Sequence, residues 1–202
     1  MSRPLVVSDC DEVLLHMVRH FRDWLGEAHD IDFALEGNPF AQAFRRRGST
    51  VALDDAEKWS YLNQFFDTQM HRQTAIEGAA AAMAELAREA DVVVLTNLAD
   101  HYQASRAGQL RDHGIEARVF TNQGPKGHAL KRIVDEYAPS RAIFIDDIAN
   151  HHASAAEVVP GVAGRRAQRD RQTSRSDRPR RLGVHLGGGC TAVRAGRRAG
   201  VL

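Results

Sequence analysis

The stretch RPLVVSDCDEVLLHMV, residues 3–18, decides how the rest of the chain is read. Its first apolar run, from Leu5 to Ser8, stops at Asp9-Cys10-Asp11-Glu12, and a second apolar run follows at once. Carboxylates this close repel: a pair about 4 Å apart costs about 4 kcal/mol at an effective dielectric of about 20. The cluster therefore calls for a cation, a shared proton or bulk water. A strand that ends in a solvated acidic turn meets that demand, and so does a site that gathers carboxylates for chemistry. What the remaining sequence delivers to the same place separates the two.

Three further short apolar runs have strand character: Val92 to Leu95, Ala117 to Phe120 and Ala142 to Ile145. Helical patterns lie between them, from Ala99 to His113, stopping at Gly114, and from Pro125 to Tyr137, with proline at a favourable first position. Strand, helix, strand, helix, strand marks a parallel sheet with right-handed crossovers, so the fold class is α/β with a Rossmann-like core. The gap from Val13 to Ala90 is much longer. It holds a helical stretch from Glu12 to about Ala28, a Gly-, Asn- and Pro-rich segment, and a helix with Trp59, Leu62, Phe65, Phe66 and Met70 as its buried stripe. The alanine-rich AIEGAAAAMAELAREA, residues 75–90, then feeds the second strand, with Met83 and Leu86 on its inner face. The expected organisation is a core of residues 1–14 and 88–162, a small helical cap of residues 15–87 inserted after the first strand, and a tail of residues 163–202.

Open parallel sheets collect ligands at the carboxyl ends of their strands. Here those ends carry Asp9 and Asp11, then Thr96 and Asn97, then Thr121 and Asn122, then Asp146 and Asp147, with Lys126 at the start of a nearby helix. Four carboxylates delivered to one edge outweigh the solvated-turn reading.

With these residues in place the sequence resembles the haloacid dehalogenase superfamily of phosphohydrolases. The likeness rests on four motifs in order over about residues 4 to 160: DCDEVL, VVVLTN, GPKGHAL with its lysine, and IFIDDIANHHASA. The resemblance implies that Asp9 is a nucleophile forming an aspartyl phosphate, and that Asp11 is the acid, later the base. It implies phosphoryl binding by Thr96, Asn97 and Lys126, and a Mg²⁺ site from Asp9, Asp146 and Asp147 with the main-chain carbonyl of Asp11. Asn150 would orient the acidic pair. An acid two residues after the nucleophile favours phosphate esters, because an alkoxide needs a proton to leave and a halide does not. His151 and His152 read as a surface helix face, since neighbours on a helix point to different sides. Arg45, Arg46 and Arg47 in the cap are candidates to hold an anionic substrate, against a solvated charge run.

Composition bounds the alternatives. The chain has 202 residues, 43% of them hydrophobic, and two cysteines, Cys10 and Cys190, which support neither a disulfide framework nor a thiolate metal site. No run is apolar enough to span a membrane and the N-terminus lacks a signal-peptide pattern, so a cytoplasmic protein is expected. The net charge of +1 hides an asymmetry: from Gly164 onward there are 11 Arg, no Lys and two Asp, a balance of +9 against −8 before it. Such a tail is expected to lack a packed core. It admits a second function, a catalytically weak binding protein whose arginines hold nucleic acid or another polyanion. The tail has no lysine and no aromatic residue to stack on bases, so a small phosphorylated substrate is the expected partner and nucleic acid is not. Arginine without lysine, mixed with Gly and Ala, is also what a GC-rich gene yields when read out of frame, which would cost the sheet its fifth strand.

Overall fold

The computed structural model describes residues 2–34 and 43–167. Strand β1, Leu5–Ser8, is buried at every position, as an unbroken apolar run requires of a strand covered on both faces. A tight turn follows, in which Glu12 takes a φ of 60°. Strand β2, Leu15–His16, then leads into helix α1, Val18–His29. Glu12 belongs to the turn and not to the helix. Its carboxylate accepts hydrogen bonds from the Met17 and Val18 N–H groups, both at 2.8 Å, satisfying donors that a helix start leaves over.

Strands β3, Ile31–Phe33, and β4, Phe44–Arg46, form an antiparallel pair. Helix α2, Asp55–Thr68, starts with a capping box between Asp54 and Glu57, and strand β5, Thr74–Ala75, returns alongside β2. The core then alternates: helix α3, Ala79–Glu89; strand β6, Asp91–Thr96; helix α4, Gln103–Asp112; strand β7, Arg118–Thr121; helix α5, Gly127–Tyr137; strand β8, Ala142–Asp146; helix α6, Ala149–Val158; strand β9, Ala163–Arg166. The five core strands are parallel in the order β7-β6-β1-β8-β9. The protein is α/β with a Rossmann-like sheet, as the sequence implies.

Three features depart from the sequence reading. The inserted segment is not wholly helical: α1 and α2 pack with the β3–β4 pair around Phe21, Trp24, Phe33, Phe44 and Phe65. Helix α3 belongs to the sheet, where Ala79 and Met83 meet Val94, Leu110 and Val119, so the core resumes before residue 88. Trp59 is 58% exposed. The inner face of α2 runs through Lys58, Phe65 and Phe66, and Trp59 sits about 100° around the helix from Lys58.

The fifth strand is present, against the expectation for residue 163 onward. Strand β9 pairs with β8 from Ile143↔Ala163 to Asp146↔Arg166 although all four of its residues are exposed. An edge strand can be held by its backbone alone, so the AGRR sequence shows no apolar alternation to read. The remainder of the tail, residues 168–202, with Cys190 and the reading-frame question, lies outside the described residues. No helix among the described residues is long and apolar enough to cross a membrane.

Candidate active site

The carboxyl ends of β1, β6 and β8 bring together Asp9, Thr96, Asp146 and Asp147, and the start of α5 adds Lys126. Asp9, Asp146 and Asp147 are buried and each offers a carboxylate oxygen, all within 4.8 Å of one another. Lys126 is fully buried and its Nζ lies 2.7 Å from Asp9 Oδ1 and 2.8 Å from Asp146 Oδ2. Asp9 Oδ1 also accepts the Cys10 N–H at 2.7 Å.

The position of Lys126 follows from close helix packing. A side-chain carbon at Gly127 would collide with the Ser154 main-chain carbonyl on α6. Only glycine lets α5 approach that near, and Gly127 N–H donates to Ser154 Oγ at 3.0 Å.

Electrostatics show a site short of positive charge. Burial pushes the Asp9 carboxyl up to about 7, despite the pull of Lys126 and with Asp146 and Asp11 adding to the rise. Burial would also raise Asp146, but the His151 hydrogen bond and the Lys126 charge hold it below the usual carboxylate range. Burial would lower Lys126, and its two carboxylate partners raise it instead. A hard divalent cation suits this all-oxygen set, and Mg²⁺ fits it by donor chemistry.

Thr96 is fully buried at the end of β6 and its Oγ1 has no hydrogen-bond partner. A buried hydroxyl left unpaired is costly to the fold. Asn97 is exposed, and its amide braces the loops: Nδ2 donates to the Gly124 carbonyl at 2.9 Å and Oδ1 accepts from Asn122 at 3.0 Å.

Two histidines correct the surface-face reading. His151 is 8% exposed, with Nδ1 3.0 Å from Asp146 Oδ2 and Nε2 3.3 Å from Asn97 Nδ2. His152 Nε2 lies 3.0 Å from the Asp146 carbonyl, and its ring packs on Phe144. Helix α6 starts directly after the Asp146-Asp147 turn, so its first-turn side chains fold back onto the end of β8. Asn150 is exposed on α6, and it is His151 that contacts the Asp146 carboxylate. Two histidines within a turn of a double aspartate were the signal available in the sequence.

Asp11 sits apart from the three-carboxylate cluster. Gln73 Nε2 donates to its Oδ1 at 2.8 Å, and the Arg106 guanidinium lies 3.1 Å from the same oxygen. Neither Gln73 nor Arg106 stood out in the sequence, since no motif marks them. In the segment inserted between β1 and β6, Arg46 pairs with Glu57, and Arg47 with Asp30 and Asp32. Arg45 is half-buried and its Nε lacks a hydrogen-bond partner. Among the described residues, none of the three touches the carboxylate cluster. Burial raises the Cys10 thiol above its usual range, so it is a packing residue.

The sequence matches no family model and no curated protein. In three dimensions the chain is similar to a haloacid dehalogenase-like family hydrolase from Streptococcus pneumoniae, at 12% identity over 81% of this chain and 83% of that one, with a TM-score of 0.59. It is also similar to a haloacid dehalogenase-like family hydrolase from Xanthomonas campestris, at 16% identity over 89% of both chains and a TM-score of 0.51. A third similar structure, from Lactobacillus plantarum, is provisionally named a phosphoglycolate phosphatase, at 16% identity over 78% of this chain and 84% of that one, with a TM-score of 0.52. The chain has the haloacid dehalogenase-like fold.

Proposed function

We propose that this protein is a Mg²⁺-dependent phosphohydrolase acting on a small phosphorylated molecule through a covalent intermediate on Asp9. The observation that carries this reading is the unpartnered, fully buried Thr96 hydroxyl at the end of β6, the neighbour of β1, at the same carboxyl end of the sheet as the cluster of Asp9, Lys126, Asp146 and Asp147. In the first step the Asp9 carboxylate forms a bond to phosphorus while the ester P–O bond breaks, and the leaving oxygen takes a proton from Asp11. In the second, water attacks the phosphorus, Asp11 takes the water's proton, and the Asp9–phosphorus bond breaks to release inorganic phosphate. Lys126 and the Thr96 hydroxyl bind the phosphoryl oxygens. Asp9, Asp146 and Asp147 would hold Mg²⁺, which supplies positive charge against the phosphoryl group when bound. His151 and Lys126 fix the Asp146 carboxylate.

Substrate choice falls to the cap, and among its arginines to Arg45, because Arg46 and Arg47 are already tied to carboxylates on the cap surface. The test is hydrolysis of 4-nitrophenyl phosphate and a panel of phosphorylated metabolites with Mg²⁺ and with EDTA. Turnover should require Mg²⁺ and vanish in Asp9→Asn with the fold retained. Wild-type turnover by Asp9→Asn would rule out the covalent route.

A further inference from the structure

The group around Asp11 is built as carefully as the carboxylate cluster and does something different. Arg106, on α4, is 0% exposed, and Gln73, just before β5 where the chain leaves the cap, is 1% exposed. Arg106 Nη2 donates to Asp11 Oδ2 at 3.2 Å and lies 3.1 Å from Oδ1, where Gln73 Nε2 also donates at 2.8 Å. The two clamping residues are themselves tied: Arg106 Nη1 donates to Gln73 Oε1 at 3.2 Å and to Gln109 Oε1 at 3.0 Å. Gln109 Nε2 donates to Gln73 Oε1 at 3.3 Å and to the Met70 carbonyl, and His113 Nε2 lies 3.0 Å from the Gln73 carbonyl.

An ion pair that buries its arginine fully is a poor way to stabilise a fold, since apolar residues of similar volume often do as well or better. What it does supply is orientation. Contacts to both oxygens from two elements remove the rotational freedom of a short side chain, and proton transfer demands a donor held within hydrogen-bond reach of its target. A misplacement of about 1 Å in such a group can cost about 10²-fold in rate.

We infer that Arg106 and Gln73 are positioning residues that fix the Asp11 carboxyl for proton transfer to the leaving oxygen. The inference rests on the hydrolase reading above. It also ties the acid's orientation to the base of the cap, because Gln73 lies in the segment that closes it.

The test compares 4-nitrophenyl phosphate, whose leaving group departs without a proton, with benzyl phosphate, whose leaving group needs one. The quantity read is kcat/KM with Mg²⁺, which reports phosphoryl transfer to Asp9. Arg106→Lys and Gln73→Leu should each lower kcat/KM for benzyl phosphate about tenfold or more beyond any loss on 4-nitrophenyl phosphate, the scale of a mispositioned acid. Asp11→Asn should show the same selectivity, and Gln73→Leu added to it should cost benzyl phosphate nothing further. Gln73→Leu removes the amide, keeps an uncharged side chain of comparable size and leaves the Arg106–Asp11 pair in place, so it carries the test where Arg106→Lys unfolds the protein. Equal losses on both substrates, or full additivity with Asp11→Asn, would reduce the clamp to a structural element. A wild-type protein inactive on both substrates removes the hydrolase reading itself, and the inference with it.

Discussion

Thr96 is where stability and function part company. Its hydroxyl is buried without a partner, and such a group costs about 1–3 kcal/mol in the folded state. Thr96→Val replaces the hydroxyl with a methyl of similar size, so it should raise stability by about 1 kcal/mol in chemical denaturation. If the hydroxyl binds a phosphoryl oxygen as charge develops, the same change should lower kcat by about 10²-fold, as loss of a single transition-state donor does elsewhere. Thr96→Ser should keep the activity. A Thr96→Val protein that is less stable, or as active as the wild type, would return this residue to ordinary strand packing.

Among the elements, the contact of α5 with α6 sets the site's geometry. Alanine favours helices over glycine by about 1 kcal/mol, so Gly127→Ala would stabilise an unobstructed helix start. Here the added carbon meets the Ser154 carbonyl. Overpacking of this kind typically costs about 1–3 kcal/mol, and a shift of α5 that relieves it carries Lys126 away from Asp9 and Asp146. A lower denaturation midpoint together with a raised KM for phosphate esters is the expected result, and unchanged stability would mean that the helices separate freely. The parallel strands and their terminal carboxylates were legible from sequence because a strand buried on both faces must be apolar throughout and must end in polar residues. Strand β9 was not, since its edge position places no demand on side chains. The β3–β4 pair escaped notice because three-residue strands carry too few positions for a period to emerge. Arg106 lay hidden in the helical pattern of α4: an arginine in such a pattern reads as solvent-facing, and only tertiary contact shows it buried against Asp11.

At the scale of the molecule, the residues after β6 tie the sheet to the inserted segment. Leu98 and Tyr102, which follow Thr96, join the aromatic cluster of the cap, and Tyr102 Oη donates to Asp67 on α2 at 2.6 Å. The inserted segment thus packs on the residues that follow Thr96, and the burial of Asp9 leaves a mark on the stability of the whole protein. The Asp9 carboxyl, pushed up chiefly by burial, titrates at about 7 without metal, against 3.8 as its ordinary value. Between those values the folded protein keeps a proton that the unfolded chain has released. The stability this contributes is fully present below the lower value and is lost as pH rises through the upper one. Burial first, and the neighbouring Arg19 charge next, hold His20 below its usual range, so its titration changes stability in the same region. That effect is common to wild type and Asp9→Asn and cancels in their difference. In EDTA, the melting temperature of the wild type relative to Asp9→Asn should therefore fall between about pH 5 and about pH 7.5. Metal ligands must be deprotonated to bind, so Mg²⁺ should raise the wild-type melting temperature more at the higher pH and raise that of Asp9→Asn much less. Thermal melts of both proteins at the two pH values, with and without Mg²⁺, decide the matter. A wild-type-minus-variant difference that stays flat with pH would show that Asp9 is ionised throughout and that burial does not govern its charge.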